Sequence, residues 1–382
     1  MTPAMPRFAT DILYVITDLE LGGVPLHLER LARAMRDRGK RVSVVSLSPA
    51  GPVGRLLKEH GVEVASCDGC CGWDVRVVRR LARIIADRRP EIVHSLLFHA
   101  NVAARWAARS AGFDSSRIVC EVQTVEVERK WHLLVDRFTH AGCRLTIGNS
   151  PSVIEHLATH ARIPRDRLRL VRGGIDPTGL RVADPIARGA LGLAENVRIV
   201  LWVGRLDPVK GLDILIDAFA RLRNADDVHL LLAGNGPLHE QLSRRIEALG
   251  QTHRVHLLGS RNDVPSLLRS AEIFAFPSMT EGLPNALLEA MAARCPIITT
   301  NVPGCRDLIA HMETGLVVQY GDTSALAEGL QLLLSDRGLA ARLGAAASAS
   351  VSRDWHIDSM IKAYLAVYCE VSAAPRASSA IV

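Results

Sequence analysis

The sequence predicts an α/β fold made of two parallel-sheet domains in tandem. Three observations lead there. The 382 residues, 48% hydrophobic and 23% charged, are enough to build two cores with a normal globular surface. Two successive series of short β-rich runs alternate with helical patterns, as βαβ units do. Between the series lies a stretch with Asp176-Pro177, Asp184-Pro185, Gly189 and Gly192 that reads as a linker. The expected division is therefore an N-terminal domain over 1–178 and a C-terminal domain over 179–371, with a disordered tail over 372–382.

In the first series the strand candidates are 11–17, 42–47, 91–94, 117–122 and 145–148. Between the first two, Val24, Leu28, Leu31, Ala32 and Met35 fall on one face of a helix lying on a sheet. The second series runs 198–203, 229–233, 254–258, 272–275 and 296–299. Gly204, Gly234 and Gly259 close three of these strands. In doubly wound sheets ligands bind at strand carboxyl ends, and glycine there lets a phosphate or sugar approach the backbone. A last helix is expected over 354–371.

Charge is uneven. The net charge is +6, yet residues 1–180 alone carry 27 Lys and Arg against 19 Asp and Glu. A basic first half suits an anionic membrane face or a phosphate-bearing acceptor; an Arg-rich usage throughout the source would look the same. Aromatics are only 4%, which gives little support to stacking on single-stranded nucleic acid, and no reader motif is present. No nucleic-acid partner is expected. No apolar run reaches the ~18 residues of a membrane span, and the first ten residues lack an apolar signal core. The expected location is the cytoplasm, with peripheral contact at the inner membrane face. Cys67, Cys70 and Cys71 form a C-x-x-C-C cluster, but no second pair follows at zinc spacing. It reads as a reduced loop.

Two segments carry chemistry. Gly204-Arg205-Leu206-Asp207-Pro208-Val209-Lys210-Gly211 sits between a strand and a helix. Arg205 can grip phosphate oxygens as a fork, Lys210 adds a mobile point charge, and the following helix offers amide donors. It is not a P-loop, and the Gly22-Gly23 turn is not a dinucleotide fingerprint. Glu281-Gly282-Leu283-Pro284-Asn285-Ala286-Leu287-Leu288-Glu289 follows a strand, and Pro284 favours a helix starting near it. Glu281 just outside that helix and Glu289 one turn inside could hold two polyhydroxylated rings on either side of a diphosphate.

These two runs, with the Gly234-Asn235-Gly236-Pro237 turn, resemble the family-four (group 1) retaining glycosyltransferases of GT-B architecture. The Gly22-Gly23 loop with His27, and Gly173-Gly174-Ile175-Asp176 before the linker, extend the resemblance over nearly the whole chain. It implies two Rossmann-like domains facing across a cleft, with a C-terminal helix able to cross back. It implies a hexosyltransferase that moves a sugar from a UDP- or GDP-linked donor to a saccharide or lipid-linked acceptor with retention, in polysaccharide or glycolipid biosynthesis. Arg205 and Lys210 would hold the diphosphate and stabilise the leaving nucleotide, and Glu281 would bind hydroxyls of the donor sugar. These three form the expected catalytic set. Glu289 would hold the ribose. Gly23, Gly204, Gly234, Gly236, Gly282, Leu283, Pro284 and Asn285 complete the expected donor site, and 258–261 would approach the base. No cofactor or metal is implied, and no Asp-x-Asp motif occurs.

The sequence departs from the family pattern in three places. Gln123 stands where a histidine is common after the fifth strand, and it cannot carry charge or shuttle a proton. His94 and His99 on the neighbouring segment are the expected substitutes for sugar or acceptor contact. Gly173 stands where Asn is usual, and Arg294 where Gly is usual. The alternatives are a sugar-nucleotide epimerase, which would convert donor with no acceptor present, and a degenerate nucleotide-sugar-binding protein, which would bind without turnover.

Overall fold

The computed structural model describes residues 10–70, 74–125 and 130–373. It divides into two compact units: Met1–Arg172 together with Met360–Val382, and Gly173–Ser359. The sequence reading placed the division near residue 178; Cys71 and the end of the tail, 374–382, lie outside the described residues.

The first unit runs β1 (Thr10–Ile16), α1 (Gly23–Asp37), β2 (Val42–Ser46), α2 (Pro52–Glu59), β3 (Glu63–Ser66), α3 (Val75–Arg88), β4 (Pro90–Leu96), α4 (Phe98–Ser110), β5 (Ile118–Val122), α5 (Lys130–Thr139), β6 (Leu145–Gly148), α6 (Pro151–Thr159) and β7 (Leu168–Leu170). All seven strands pair in parallel, in the order β3-β2-β1-β4-β5-β6-β7. The order reverses between β1 and β4. The five expected strands are present within two residues of their expected ends. β3 and β7 are additional; each is short and carries a charged residue, Glu63 or Arg169, which breaks the apolar run that marks a buried strand.

Strand alternation sorts the side chains of this sheet onto two faces. Leu13 and Val15 of β1, Val93 of β4 and Ile118 and Cys120 of β5 share one core with Val77, Leu81 and Ile85 of α3 and the alanines of α4. Ala100, Ala103, Ala104, Ala107 and Ala108 let α4 lie close to the strands. The alternate residues, Tyr14, His94 and Glu121, point to the opposite face and are all buried. On α1 the expected stripe is real: Leu28, Leu31, Ala32 and Met35 are fully buried, with Val24 half-buried at its end.

The second unit runs α7 (Thr178–Val182), β8 (Arg198–Val203), α8 (Leu212–Ala220), β9 (Val228–Ala233), α9 (His239–Ala248), β10 (Val255–Gly259), α10 (Val264–Ser270), β11 (Ile273–Phe276), α11 (Asn285–Ala292), β12 (Ile297–Thr300), α12 (Pro303–Arg306), β13 (Leu316–Val318), α13 (Thr323–Ser335) and α14 (Arg337–Asp354). Its parallel sheet has the order β10-β9-β8-β11-β12-β13. β13, three residues long, was not expected. The segment after Gly173 is stitched to the far end of the unit. Ile175 donates its amide to the Trp355 carbonyl at 3.0 Å, and its carbonyl accepts from Ile357 at 3.0 Å. The last helix, α15 (Ile357–Ala373), then carries the chain back into the first unit.

Arg294, where the family favours glycine, has φ +62°. That is the left-handed region where a Cβ costs about 1–2 kcal/mol, so the family preference has a plain backbone cause.

Candidate functional site

In the second unit the strand order reverses between β8 and β11, the place where an open α/β sheet leaves room for a ligand. The two chemistry-bearing loops leave the carboxyl ends of these two strands. The first turns through a 3-10 segment, Pro208–Lys210, whose start is capped by the Asp207 carboxylate accepting from the Val209 amide. Gly211 then turns with φ +62°, and a Cβ there would meet the Pro277 carbonyl oxygen at 2.2 Å. Only glycine lets the two loops run this close. Met279 donates its amide to the Val209 carbonyl at 2.8 Å and locks one loop to the other.

The result brings Lys210 and Glu281, 71 residues apart in sequence, together. Lys210 Nζ donates to Glu281 Oε1 at 2.6 Å, and both side chains are largely covered, 21% and 11% exposed. The ammonium also lies 5.8 Å from the centre of the Phe276 ring. Arg205 takes a different place: it pairs with Asp207 and its side chain is 71% exposed. A partly buried cation beside a carboxylate, with an exposed guanidinium on the same loop, is suited to holding a charged, hydroxyl-rich ligand.

α11 opens at Asn285, with Pro284 as the residue before its first turn. Proline has no amide hydrogen to leave unsatisfied there. Its carbonyl accepts from Leu287 and Leu288 at 3.1 and 3.2 Å. Glu289 lies half-buried one turn inside. The Glu281-Gly282 backbone is backed by α12. Gly304 donates to the Glu281 carbonyl at 3.2 Å, and a Cβ on Gly304 would sit 2.4 Å from the Gly282 oxygen.

The loops after β8, β9 and β10 are knitted by their backbones. Gly204 donates to Ala233, Leu206 to Asn235 and Gly234 to Gly259, at 3.0, 2.9 and 2.8 Å. Asn235 Nδ2 donates to Ser260 Oγ at 3.1 Å. Gly234 must be glycine, because a Cβ there would lie 1.7 Å from the Gly204 carbonyl oxygen. Gly236 meets Leu206 almost as closely, at 2.3 Å. We expect Gly234→Ala to lower stability by about 1–3 kcal/mol, the scale of forced overpacking. Urea unfolding midpoints would show it, and an unchanged midpoint would mean this turn relaxes freely.

The remaining expected residues lie in the first unit. Gly23 is the first residue of α1. His99 is half-buried on the first turn of α4, edge-on to Phe98 and His132. His94 and Gln123 are instead drawn into a buried network centred on Glu121, whose side chain is fully buried. The Glu121 carboxylate accepts from Tyr364 Oη at 2.8 and 2.9 Å and from Gln123 Nε2 at 2.5 Å. His94 Nε2 stands 3.0 Å from it. His94 Nδ1 meets Tyr368 Oη at 2.8 Å, Tyr14 Oη meets the same hydroxyl at 3.0 Å, and His27 Nε2 meets Tyr364 Oη at 2.9 Å. The His94 ring is thus spent on holding α15 to the sheet, and the Gln123 amide on the carboxylate. Tyr14, Glu121, Tyr364 and Tyr368 formed no part of the sequence expectation. A charged residue in the strand run Ile118–Val122 and tyrosines four apart in the last helix were the available signs.

Burial disfavours charge on His27 and pushes its pKa down to about 4, against the opposing pull of the Glu121 carboxylate. Burial would raise the pKa of Glu121, but hydrogen bonds from His94 and Gln123 and the nearby histidines hold it below the usual value. The unfolded chain protonates its His27 near the ordinary value of 6.5, the folded protein only near 4. Between those values the unfolded state binds the extra proton, so stability falls as pH falls through that window, by about 3 kcal/mol in all. His27→Gln is expected to flatten the part of the pH–stability curve between 6.5 and 4.5. Identical curves for the two proteins would remove His27 as its cause.

Comparison with known proteins agrees with this architecture. The chain matches the family described as Glycosyltransferase Family 4 over residues 21–178 and the family described as Glycosyl transferases group 1 over residues 184–350. It is 31% identical over 302 residues to the GDP-mannose-dependent alpha-(1-6)-phosphatidylinositol monomannoside mannosyltransferase of Mycobacterium tuberculosis, covering 74% of this chain and 76% of that protein. With an uncharacterized glycosyltransferase of Methanocaldococcus jannaschii it is 29% identical, and there the match spans only 60% of either chain. The crystal structure of Anabaena Alr3699/HepE in complex with UDP and glucose superposes with a TM-score of 0.85 at 23% identity, covering 94% of this chain and 100% of that one. With its two parallel α/β units of the GT-B type, the chain belongs to the group 1, family-four glycosyltransferases.

Proposed function

We propose that this protein transfers a hexosyl group from a nucleoside-diphosphate sugar to an acceptor hydroxyl with retention of anomeric configuration, in polysaccharide or glycolipid synthesis. The observation that carries the reading is the covered Lys210–Glu281 pair at 2.6 Å, set at the point where the strand order reverses. Lys210 and Arg205 supply positive charge for the diphosphate, and Glu281 supplies an acceptor for sugar hydroxyls. Catalysis then rests on placing donor and acceptor and on stabilising charge as the nucleotide departs. The leaving phosphate can take the proton of the incoming hydroxyl on the same face, so no protein nucleophile is required. Glu289 is assigned to the ribose, and no metal is assigned.

The acceptor is proposed to be a lipid-linked or phosphate-bearing saccharide, reached at the cytoplasmic membrane face, because the first 180 residues hold the basic excess. The M. tuberculosis relative, named for a phosphatidylinositol monomannoside and GDP-mannose, is in keeping with this. No helix among the described residues is long and apolar enough to cross a membrane.

The test is thermal unfolding of the wild type and of Arg205→Ala/Lys210→Ala in UDP, GDP, ADP and their sugar conjugates. A nucleotide at 100 times its Kd adds about 2.7 kcal/mol. One nucleotide should stabilise the wild type and not the double variant. Equal responses in both proteins would place the donor elsewhere.

A further inference from the structure

The first unit holds a groove of about 710 Å³ between α3, α4 and α5, in the size range of small-molecule sites. One end lies at the carboxyl edge of the sheet and is polar: Thr17 directly follows β1, Ser48 follows β2, and His99 stands on the first turn of α4. From there the groove runs along the helices past Val78 and Val102 to Trp106 and Ser110. His99, Val102, Trp106 and Ser110 recur every three or four residues and so form one stripe along α4. At 1.5 Å per residue that stripe is roughly 16 Å long.

The outer part of the groove leaves large apolar side chains in water. Trp106 is 55% exposed, Trp131 40% and Val75 72%. A contiguous apolar surface of this kind marks a binding face. Beside it α3 presents a row of arginines. Arg79 lines the groove, and Arg76 and Arg83 are exposed on the same helix, Arg76 held by Asp74 at 2.8 Å.

A polar end, an apolar trough and a flanking arginine thus belong to one channel. We propose that the groove holds the hydrocarbon chain of an anionic lipid acceptor, with its polar head at the Thr17–Ser48–His99 end and its chain running out past Trp106. The inference rests on the transferase reading and narrows its acceptor to a phosphate carried on a long hydrocarbon chain. Arg79 complements the phosphate. A flat bilayer surface would need the arginines and the exposed Trp106, but neither the polar end at Thr17, Ser48 and His99 nor a trough between the helices.

Calorimetric titration of the full chain with dodecyl phosphate below its micelle concentration, butyl phosphate, inorganic phosphate and phosphatidylglycerol vesicles tests this. Each methylene taken from water adds roughly fourfold in affinity, so dodecyl phosphate should bind at least 100-fold more tightly than butyl phosphate. Val102→Trp, which fills the trough, and Trp106→Ser, which opens its far end, should each weaken dodecyl phosphate at least tenfold. Each variant should keep its nucleotide-dependent thermal shift, which also shows that it is folded. Equal affinity for the two phosphates, or wild-type dodecyl binding in Val102→Trp, overturns the groove. So does binding confined to vesicles and indifferent to Val102→Trp, which would mean a membrane-surface patch. A nucleotide shift with no chain-length effect sinks the groove alone; absence of any nucleotide shift in the wild type sinks the transferase reading beneath it.

Discussion

Lys210→Ala should slow sugar transfer by about 10²–10³-fold in kcat, equivalent to about 2.7–4 kcal/mol, the loss found when one preorganised charge-stabilising group is removed from an active site. The size follows from where the ammonium sits. It is only 21% exposed, bonded to Glu281 at 2.6 Å and fixed by a turn that Gly211 alone permits. Its charge is therefore aimed in advance and little screened. Arg205, exposed and paired with Asp207, should contribute more to donor affinity than to turnover, so Arg205→Ala is expected to raise KM for the donor more than it lowers kcat. Initial rates with the nucleotide sugar chosen by thermal shift would separate the two. Wild-type kcat in Lys210→Ala would remove this residue from the transfer step.

Glu121→Ala should destabilise the protein by about 3–5 kcal/mol, the range for removing one partner of a buried charged cluster. Its carboxylate takes hydrogen bonds from Tyr364 and Gln123 and faces His94 at 3.0 Å. Every one of these groups is buried and would lose one of its contacts. Tyr364→Phe removes the bond to the Glu121 carboxylate together with the contact to His27 Nε2 and should lose about 1.5–3 kcal/mol. Urea unfolding near neutral pH measures both. If Glu121→Ala unfolds at the wild-type midpoint, the Glu121 bonds contribute nothing to holding α15.

The second unit was largely legible in the sequence because its chemistry is local. The segments 204–211 and 281–289 each lie in one loop at a strand end, so reading the strand and the helix places the residues between them. The Lys210–Glu281 contact follows once β8 and β11 are neighbours. The first unit was not legible in the same way. Tyr364 and Glu121 are 243 residues apart, and Tyr14 and Tyr368 are 354, so no window of sequence contains the network. His94 and Gln123 entered the expected site through the family pattern, Gln123 at the place of the usual histidine and His94 as its substitute; strand alternation turns His94 toward α15, and the Gln123 amide is taken up by the Glu121 carboxylate. β3, β7 and β13 were missed for a simpler reason: three or four residues are too few to show a period.

The return of the chain to its first unit has a consequence for how this protein is made. The first 172 residues leave the ribosome with Tyr14, His94 and Glu121 on a sheet face whose covering helix begins supplying its part only at Met360. At 5–20 residues per second, roughly 190 residues of further synthesis take about 10–40 s. Through that interval the second unit can finish folding while the earlier one still lacks α15. The half of the protein translated first is thus the half completed last.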